Sequence, residues 1–234
     1  FYDYKNHFCR MGPFGITGYK HMDEIQNMLK YMMLRRLKKD HLKDLPDKIY
    51  STEYVEMNNH QAAIYNEVLN GLRKEVDLIA RSTNPLGNLI RLRQATGHTS
   101  LLSSTVSCSA KLDRLLELLK DYTDNGHKII VFSNFAKMVE LIKLNTLDYN
   151  PAVITGATKD RQGEKNRFMT DDNCKIIIGT IGAMGTGLTL TAADVVIFFD
   201  EPWTSGNKLQ AEDRAHRIGA KNNVQIITLV TKNT

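Results

Sequence analysis

The sequence predicts an α/β protein: a parallel sheet with helices on both faces, preceded by a helical segment. Three observations predict it. Short apolar runs recur, among them Lys128-Ile-Ile-Val-Phe132, Lys175-Ile-Ile-Ile-Gly179 and Val195-Val-Ile-Phe-Phe199. They alternate with segments whose leucines and methionines repeat at helical spacing. A strand apolar at nearly every position is buried on both faces, which points to a parallel sheet covered by crossover helices. Lastly, Gly, Ser, Thr and Asn gather directly after the runs, where ligands of such sheets bind.

In chain order, residues up to Gly18 are rich in Gly and aromatics and show no clear period. Met22, Ile25, Leu29, Met32 and Met33 then mark one face of a helix, a malleable core face by composition. It runs into the basic stretch Leu34-Arg-Arg-Leu-Lys-Lys-Asp-His-Leu-Lys-Asp-Leu-Pro46, either a solvated helix end or a segment beside nucleic acid. Ile49–Met57 reads as a strand, with Tyr50, Thr52, Tyr54 and Val55 suited to a pleated surface. Ile64, Val68 and Leu72 mark a long helix. Asn84-Pro85 opens another, through Leu86, Leu89 and Ile90, with Arg91 and Arg93. Residues 99–109 form a polar, serine-rich loop. Leu112, Leu115, Leu116 and Leu119 make a helix stopped by Asn125-Gly126. Phe135, Met138, Val139 and Ile142 make the next. Ala152-Val-Ile-Thr155 is a strand, followed by a polar helix through Arg161 and Phe168. Gln225–Thr231 is the last strand.

Composition narrows the function classes. The 234 residues suffice for one large domain or two small ones, and an apolar fraction of 42% is ordinary for a buried core. The net charge of +5 permits a polyanion partner without requiring one. Cys9, Cys108 and Cys174 are widely spaced and make no Cys-x-x-Cys, so neither a zinc site nor a disulfide framework is indicated, and a reducing compartment is the simplest inference. No apolar run reaches membrane-spanning length, so no membrane partner is expected. The start, Phe1-Tyr-Asp-Tyr, is no signal peptide, and the expectation is a piece of a longer protein.

Five places carry candidate chemistry. Ser133-Asn134 follow a strand and open a helix, where they either cap it or hold a phosphate. Thr155-Gly156 and Thr180 end neighbouring strands, where small hydroxyls can meet phosphates without reading bases. Gly179-Thr-Ile-Gly-Ala-Met-Gly-Thr-Gly-Leu-Thr-Leu190 is a tight turn or a phosphate loop, but no P-loop, because no Gly-Lys-Ser/Thr follows. Val196-Ile-Phe-Phe-Asp-Glu201 imitates a magnesium-binding strand, a role that needs a P-loop which this chain lacks. Trp203 after it is a loop anchor or an aromatic facing nucleic acid. Finally, Gln210-Ala-Glu-Asp-Arg-Ala-His-Arg-Ile-Gly219 sets Arg214 and Arg217 three apart. On a helix they share a face, either as ordinary surface charge or as two planar forks for phosphate.

This last stretch closely resembles the final helicase motif of the SWI/SNF family of superfamily-two DNA translocases. The resemblance extends along most of the chain. Arg-Arg-Leu-Lys-Lys-Asp…Leu-Pro-x-Lys is similar to the family's inter-lobe linker, and Leu92-Arg-Gln-Ala-Thr-Gly-His98 to a protrusion in which His98 is read as structural. The glycine-rich turn resembles Gly-Gly-x-Gly-Ile-Asn-Leu-Thr-x-Ala, with Gly185 and Gly187 matching, Thr186 between them, and Thr189 in place of Asn. Asp-Glu-Pro-Trp-Thr leans towards bacterial or phage members, hence a cytoplasmic protein, or a nuclear one if eukaryotic.

The resemblance implies a second RecA-like lobe over residues 46–234, with a helical insertion at about 59–107. Residues 1–45 would hold the end of the first lobe, its protrusion and the linker. It implies ATP-driven translocation on double-stranded DNA, with Arg214 and Arg217 catalytic. Gly185, Thr186, Gly187 and Gln210 would line the ATP site. Ser133, Asn134, Thr155, Gly156, Thr180 and Trp203 would meet DNA. Magnesium and the P-loop would come from a first RecA-like lobe, the partner of this one. Alternatives are a strand-separating DNA or RNA helicase lobe and a DNA-binding module without activity of its own.

Overall fold

The computed structural model describes residues 2–13, 15–34, 36, 38–42, 45–79, 85–103, 105–184, 187–220 and 222–234. The chain divides into two compact units, Phe1–Asp44 and Leu45–Thr234.

In the first unit, α1 (Tyr2–Phe8) leads into an antiparallel hairpin, β1 (Cys9–Gly12) and β2 (Gly15–Tyr19). Then come α2 (Met22–Lys30) and the single turn α3 (Lys38–His41). The hairpin is a correction to the aperiodic reading of this stretch. Gly15, at φ +129, makes the turn a side chain would strain. The methionine face is also corrected. The helix ends at Lys30, so Met32 and Met33 lie beyond it, and α2 buries none of its side chains. A unit this small has little interior to offer.

The second unit begins with β3 (Lys48–Val55), α4 (Asn59–Ile79) and α5 (Pro85–Gly97). Gln61 ties the two helices of this insertion to the next one along the chain. Fully buried, it donates to the Ala95 and Thr96 carbonyls and accepts from the Ala110 amide. Asn84 and the side chains of Leu72 and Leu86 lie outside the described set. His98 is structural: its Nδ1 accepts from the Ser100 amide at 3.1 Å, capping a short 3₁₀ turn. The serine-rich loop is pinned rather than loose, since the Thr99 hydroxyl bridges to Val106 and Cys108.

From α6 (Ala110–Asp124) the chain alternates as its pattern predicts: β4 (Ile129–Ser133), α7 (Ala136–Leu144), β5 (Ala152–Ile154), α8 (Arg161–Thr170), β6 (Ile176–Thr180), α9 (Ile181–Met184), β7 (Val195–Phe198), α10 (Ser205–Glu212) and β8 (Val224–Thr231). Ser109, Asp160 and Thr204 cap their helices with side-chain oxygens, and Gly126 leaves α6 at φ +85. The strands run parallel in the order β3-β8-β7-β4-β6-β5.

Two apolar layers cover the sheet, and alternation along each strand sorts the side chains. Ile130, Phe132, Ile177, Val196 and Phe198 join Phe168 of α8, Met184 of α9 and Ala211 of α10. Ile129, Val131, Ile176, Ile178, Val195 and Ile197 join Leu115 and Leu119 of α6 and Met138 and Ile142 of α7. The inner strands β4, β6 and β7 are thus buried on both faces of an α/β sheet, the RecA-like arrangement, while β3 at its edge stays largely exposed. Burying each large side chain contributes roughly 1.5–3 kcal/mol. Among the described residues no helix is long and apolar enough to cross a membrane.

Candidate functional site

Parallel register brings one set of candidates into a row. Ser133 pairs with Thr180 across β4 and β6, and Ile154 pairs with Gly179, so Thr155 falls next in line. Phe198 pairs with Phe132, which places Asp200 and Glu201 just past the same edge. Serine, threonines and acids therefore share the carboxyl edge of the sheet.

Their side chains have distinct tasks there. Ser133 is fully buried, and its hydroxyl donates to Asp200 Oδ2 at 2.5 Å. It therefore presents nothing to an outside ligand, a correction to its reading as a DNA contact. The Asn134 amide N–H also donates to Asp200, while its side-chain amide donates to the Glu201 carbonyl at 3.0 Å. Neither residue caps α7, whose N-cap is Phe135. Asp200 is thereby spent on tying β4 to β7. Beneath it, the Lys111 ammonium donates to the Phe199 carbonyl, and burial pulls its pKa down against the opposing pull of Asp200. The Asp200 carboxylate is thus engaged within the fold.

The exposed part of the edge is polar. The Thr155 hydroxyl accepts from the Ala157 amide, Thr180 accepts from the Ala183 amide, and Gly156 lies open. Trp203 is 48% exposed, and the Arg93 guanidinium lies 4.2 Å over its ring. Arg93 also donates to the Glu201 carbonyl, and Lys208 reaches the Glu201 carboxylate at 2.8 Å. Neither cation carries a signal in the sequence that would give it this place. Only the fold brings the protrusion and α10 to the same loop.

The arginines lie elsewhere. The α10 helix starts near the carboxyl edge, where Lys208 meets Glu201, and ends at Glu212, which meets Lys48 at the opposite, amino end of β3. Arg214 and Arg217 follow its last turn instead of lying on it, a correction to the shared helix face. The Arg214 carbonyl, which a continuing helix would use internally, accepts from the Leu190 amide at 2.9 Å. The two guanidinium groups nevertheless converge. Arg214, 9% exposed, donates to the Leu188 carbonyl at 3.1 Å, and exposed Arg217 donates to the Thr189 hydroxyl at 3.0 Å. These are consecutive residues of the glycine-rich turn, just past Gly187 at φ +74. Burial, then the like charge of Arg217, holds the Arg214 guanidinium below its ordinary pKa. Two cations crowded on one loop favour an anion beside them. Gln210 is exposed on α10; Gly185 and Thr186 lie outside the described residues.

Comparison with known proteins agrees with this architecture. Residues 3–101 match the SNF2-related domain, and residues 110–219 the helicase conserved C-terminal domain. An uncharacterized ATP-dependent helicase of Mycoplasma pneumoniae is 33% identical over 208 residues, which are 86% of this chain and 20% of that protein. The ISWI chromatin-remodeling complex ATPase ISW1 of Saccharomyces cerevisiae is 30% identical over 92% of this chain and 21% of its own length. The chain thus spans about a fifth of these curated relatives. The solved Sulfolobus solfataricus SWI2/SNF2 ATPase core in complex with dsDNA is 30% identical, with a TM-score of 0.68 over 91% of this chain and 47% of that one. Sequence motifs, fold and family models concur: this chain belongs to the SWI/SNF family of superfamily-two helicase-like ATPases and carries its RecA-like C-terminal lobe.

Proposed function

We propose that this chain is the second motor lobe of an ATP-driven translocase on double-stranded DNA. The observation that carries the reading is the convergence of Arg214 and Arg217 on Leu188 and Thr189, with burial and mutual repulsion depressing Arg214. A polyphosphate held between lobes would relieve that repulsion. Arg217, the exposed member, meets the charge that spreads over phosphoryl oxygens as the bond breaks. Arg214 backs it from the buried side. Gly187 and Gln210 border the same nucleotide; Gly185 and Thr186, outside the described residues, join them by their place in the motif.

The carboxyl edge serves the DNA. Asn134, Thr155, Gly156, Thr180 and Trp203, with Arg93 on the tryptophan, offer hydroxyls, amides and positive charge to a backbone. Ser133 supports that edge from inside. Magnesium and the attacking water belong to a P-loop lobe, because Asp200 is engaged within the fold. By this reading the present chain alone does not hydrolyse ATP. That the solved Sulfolobus relative was captured with dsDNA supports duplex DNA as the track.

The test uses the full-length protein with ATP. Displacement of a third strand from a DNA triplex, without separation of a forked duplex, is the expected pair of results. Unwinding of the fork would contradict translocation and favour a strand-separating helicase.

A further inference from the structure

Four residues at the start of β3 and just before it grip the segment that carries the arginines. The His216 Nε2 donates to the Pro46 carbonyl at 2.6 Å. The Asp47 amide donates to Asn223 Oδ1 at 3.1 Å, and its carbonyl accepts from the Val224 amide at 2.9 Å. The Lys48 ammonium bridges Glu212 at 2.8 Å and Asp213 at 3.1 Å. The Tyr50 hydroxyl donates to the same Glu212 oxygen at 2.9 Å. These grips bracket Arg214 and Arg217 on both sides in sequence.

We propose that Lys48 and Tyr50 are positioning residues: through Glu212 they hold the turn that aims Arg214 and Arg217 at the nucleotide. The proposal rests on the phosphate-binding reading of those arginines. Its geometric basis is the burial of Glu212, only 1% exposed, two residues before Arg214. A carboxylate in that setting needs its partners, because an unpaired buried charge is costly. With Lys48 and Tyr50 in place, the end of α10 has one position. Arg214 is then fixed a second time, by Leu190 on its carbonyl and by its own bond to Leu188. The chain of contacts runs from the start of β3, through Glu212, to the glycine-rich turn. Burial pulls the Lys48 pKa down, but the bonds to Glu212 and Asp213 outweigh it and leave it raised, so the ammonium stays charged at neutral pH.

Nothing local in the sequence marks this grip. Glu212 and Asp213 read as surface acids beside surface arginines, and Lys48 as the last lysine of a basic linker. Their pairing spans more than 160 residues.

The experiment measures DNA-stimulated ATP hydrolysis by the full-length protein in Lys48→Met, Lys48→Arg and Tyr50→Phe, with Arg217→Ala as the reference. Duplex affinity and melting temperature are recorded for each. Lys48→Met is expected to lower kcat by roughly 10–100-fold, the scale of a misplaced catalytic group. KM for ATP and DNA affinity should stay within about twofold, since the lost contact acts in the closed state. Lys48→Arg keeps the charge and should recover most of the rate. Tyr50→Phe removes one hydroxyl from a side chain 58% exposed, so the fold survives even if Lys48→Met does not. It should lose a few-fold in kcat, on the order of 3–10, the equivalent of about one hydrogen bond. In single-turnover assays, adding Lys48→Met or Tyr50→Phe to Arg217→Ala should cost nothing further.

A folded Lys48→Met or Tyr50→Phe with wild-type kcat, while Arg217→Ala is inactive, overturns the positioning role alone. A loss that multiplies with Arg217→Ala overturns it too, because the two would then act independently. Near-normal turnover in Arg217→Ala instead removes the phosphate-binding reading beneath it.

Discussion

Arg214 and Arg217 differ in what surrounds them, and that difference assigns their work. Arg214 is buried and bonded to a carbonyl, so its loss should disturb the turn as well as the charge. Arg217 is exposed and bonded to a hydroxyl that an arriving phosphate can replace. Arg217→Ala should therefore leave the melting temperature near that of the parent, while Arg214→Ala should lower it. Loss of a buried hydrogen bond of this kind costs on the order of 1–3 kcal/mol. Differential scanning of both variants checks this, and equal melting temperatures would contradict the assignment. Asp200 provides the complementary test. Asp200→Ala strips Ser133 and Asn134 of their shared acceptor and Lys111 of a nearby opposite charge, so stability should fall by about 1–3 kcal/mol or more. The magnesium concentration that supports turnover should not change. A changed magnesium requirement with unaltered stability would restore the metal role that the Asp-Glu pair imitates.

Strands β4, β6 and β7 are legible in the sequence because each is a short apolar run, and burial on both faces leaves no other use for such a run. The last helix is shorter than its spacing suggests. Arg-x-x-Arg suits a helix, but Leu190 takes the Arg214 carbonyl and Lys48 and Tyr50 take Glu212, so tertiary bonds end it at Glu212. The hairpin at Cys9–Tyr19 is hidden because four- and five-residue strands with glycines carry no readable period. The 3₁₀ turn capped by His98 offers a pH test. Burial holds the His98 imidazole below its ordinary pKa, with Asp113 pulling the other way. The unfolded chain therefore gains its proton first as pH falls. Stability should decline from about pH 6.5 downward until the folded value is passed. His98→Asn keeps an acceptor for Ser100 and cannot titrate, so its melting temperature should vary less between pH 7.5 and 5.5, values chosen to straddle roughly the ordinary histidine pKa. An unchanged pH slope would show that His98 is not a source of the acid sensitivity.

The two proposed patches lie at opposite ends of the second unit: hydroxyls and Trp203 at the carboxyl edge, arginines beside the amino ends of β3 and β8. Such a separation suits a motor that closes on nucleotide at one surface and shifts its hold on DNA at another. The carboxyl edge is legible in the sequence, because Ser133, Thr155 and Thr180 follow apolar runs, whereas the arginine end is not, because Arg217 is placed by tertiary bonds and not by spacing. Taken alone, the chain should bind unrelated duplexes weakly and alike. Affinity should fall steeply with salt, because the contacts are to phosphates. Titrations at several salt concentrations check this, and a sequence preference that survives high salt would contradict a track. The most direct trial of the motor reading is DNA-stimulated ATP hydrolysis by full-length Arg217→Ala, with duplex affinity measured beside it. Turnover should fall by roughly three to five powers of ten while duplex affinity holds, the scale of an arginine that meets transition-state charge. Arg217→Lys should recover little, lacking the planar fork. Near-normal turnover in a folded Arg217→Ala protein would make this pair ordinary surface charge and contradict the account.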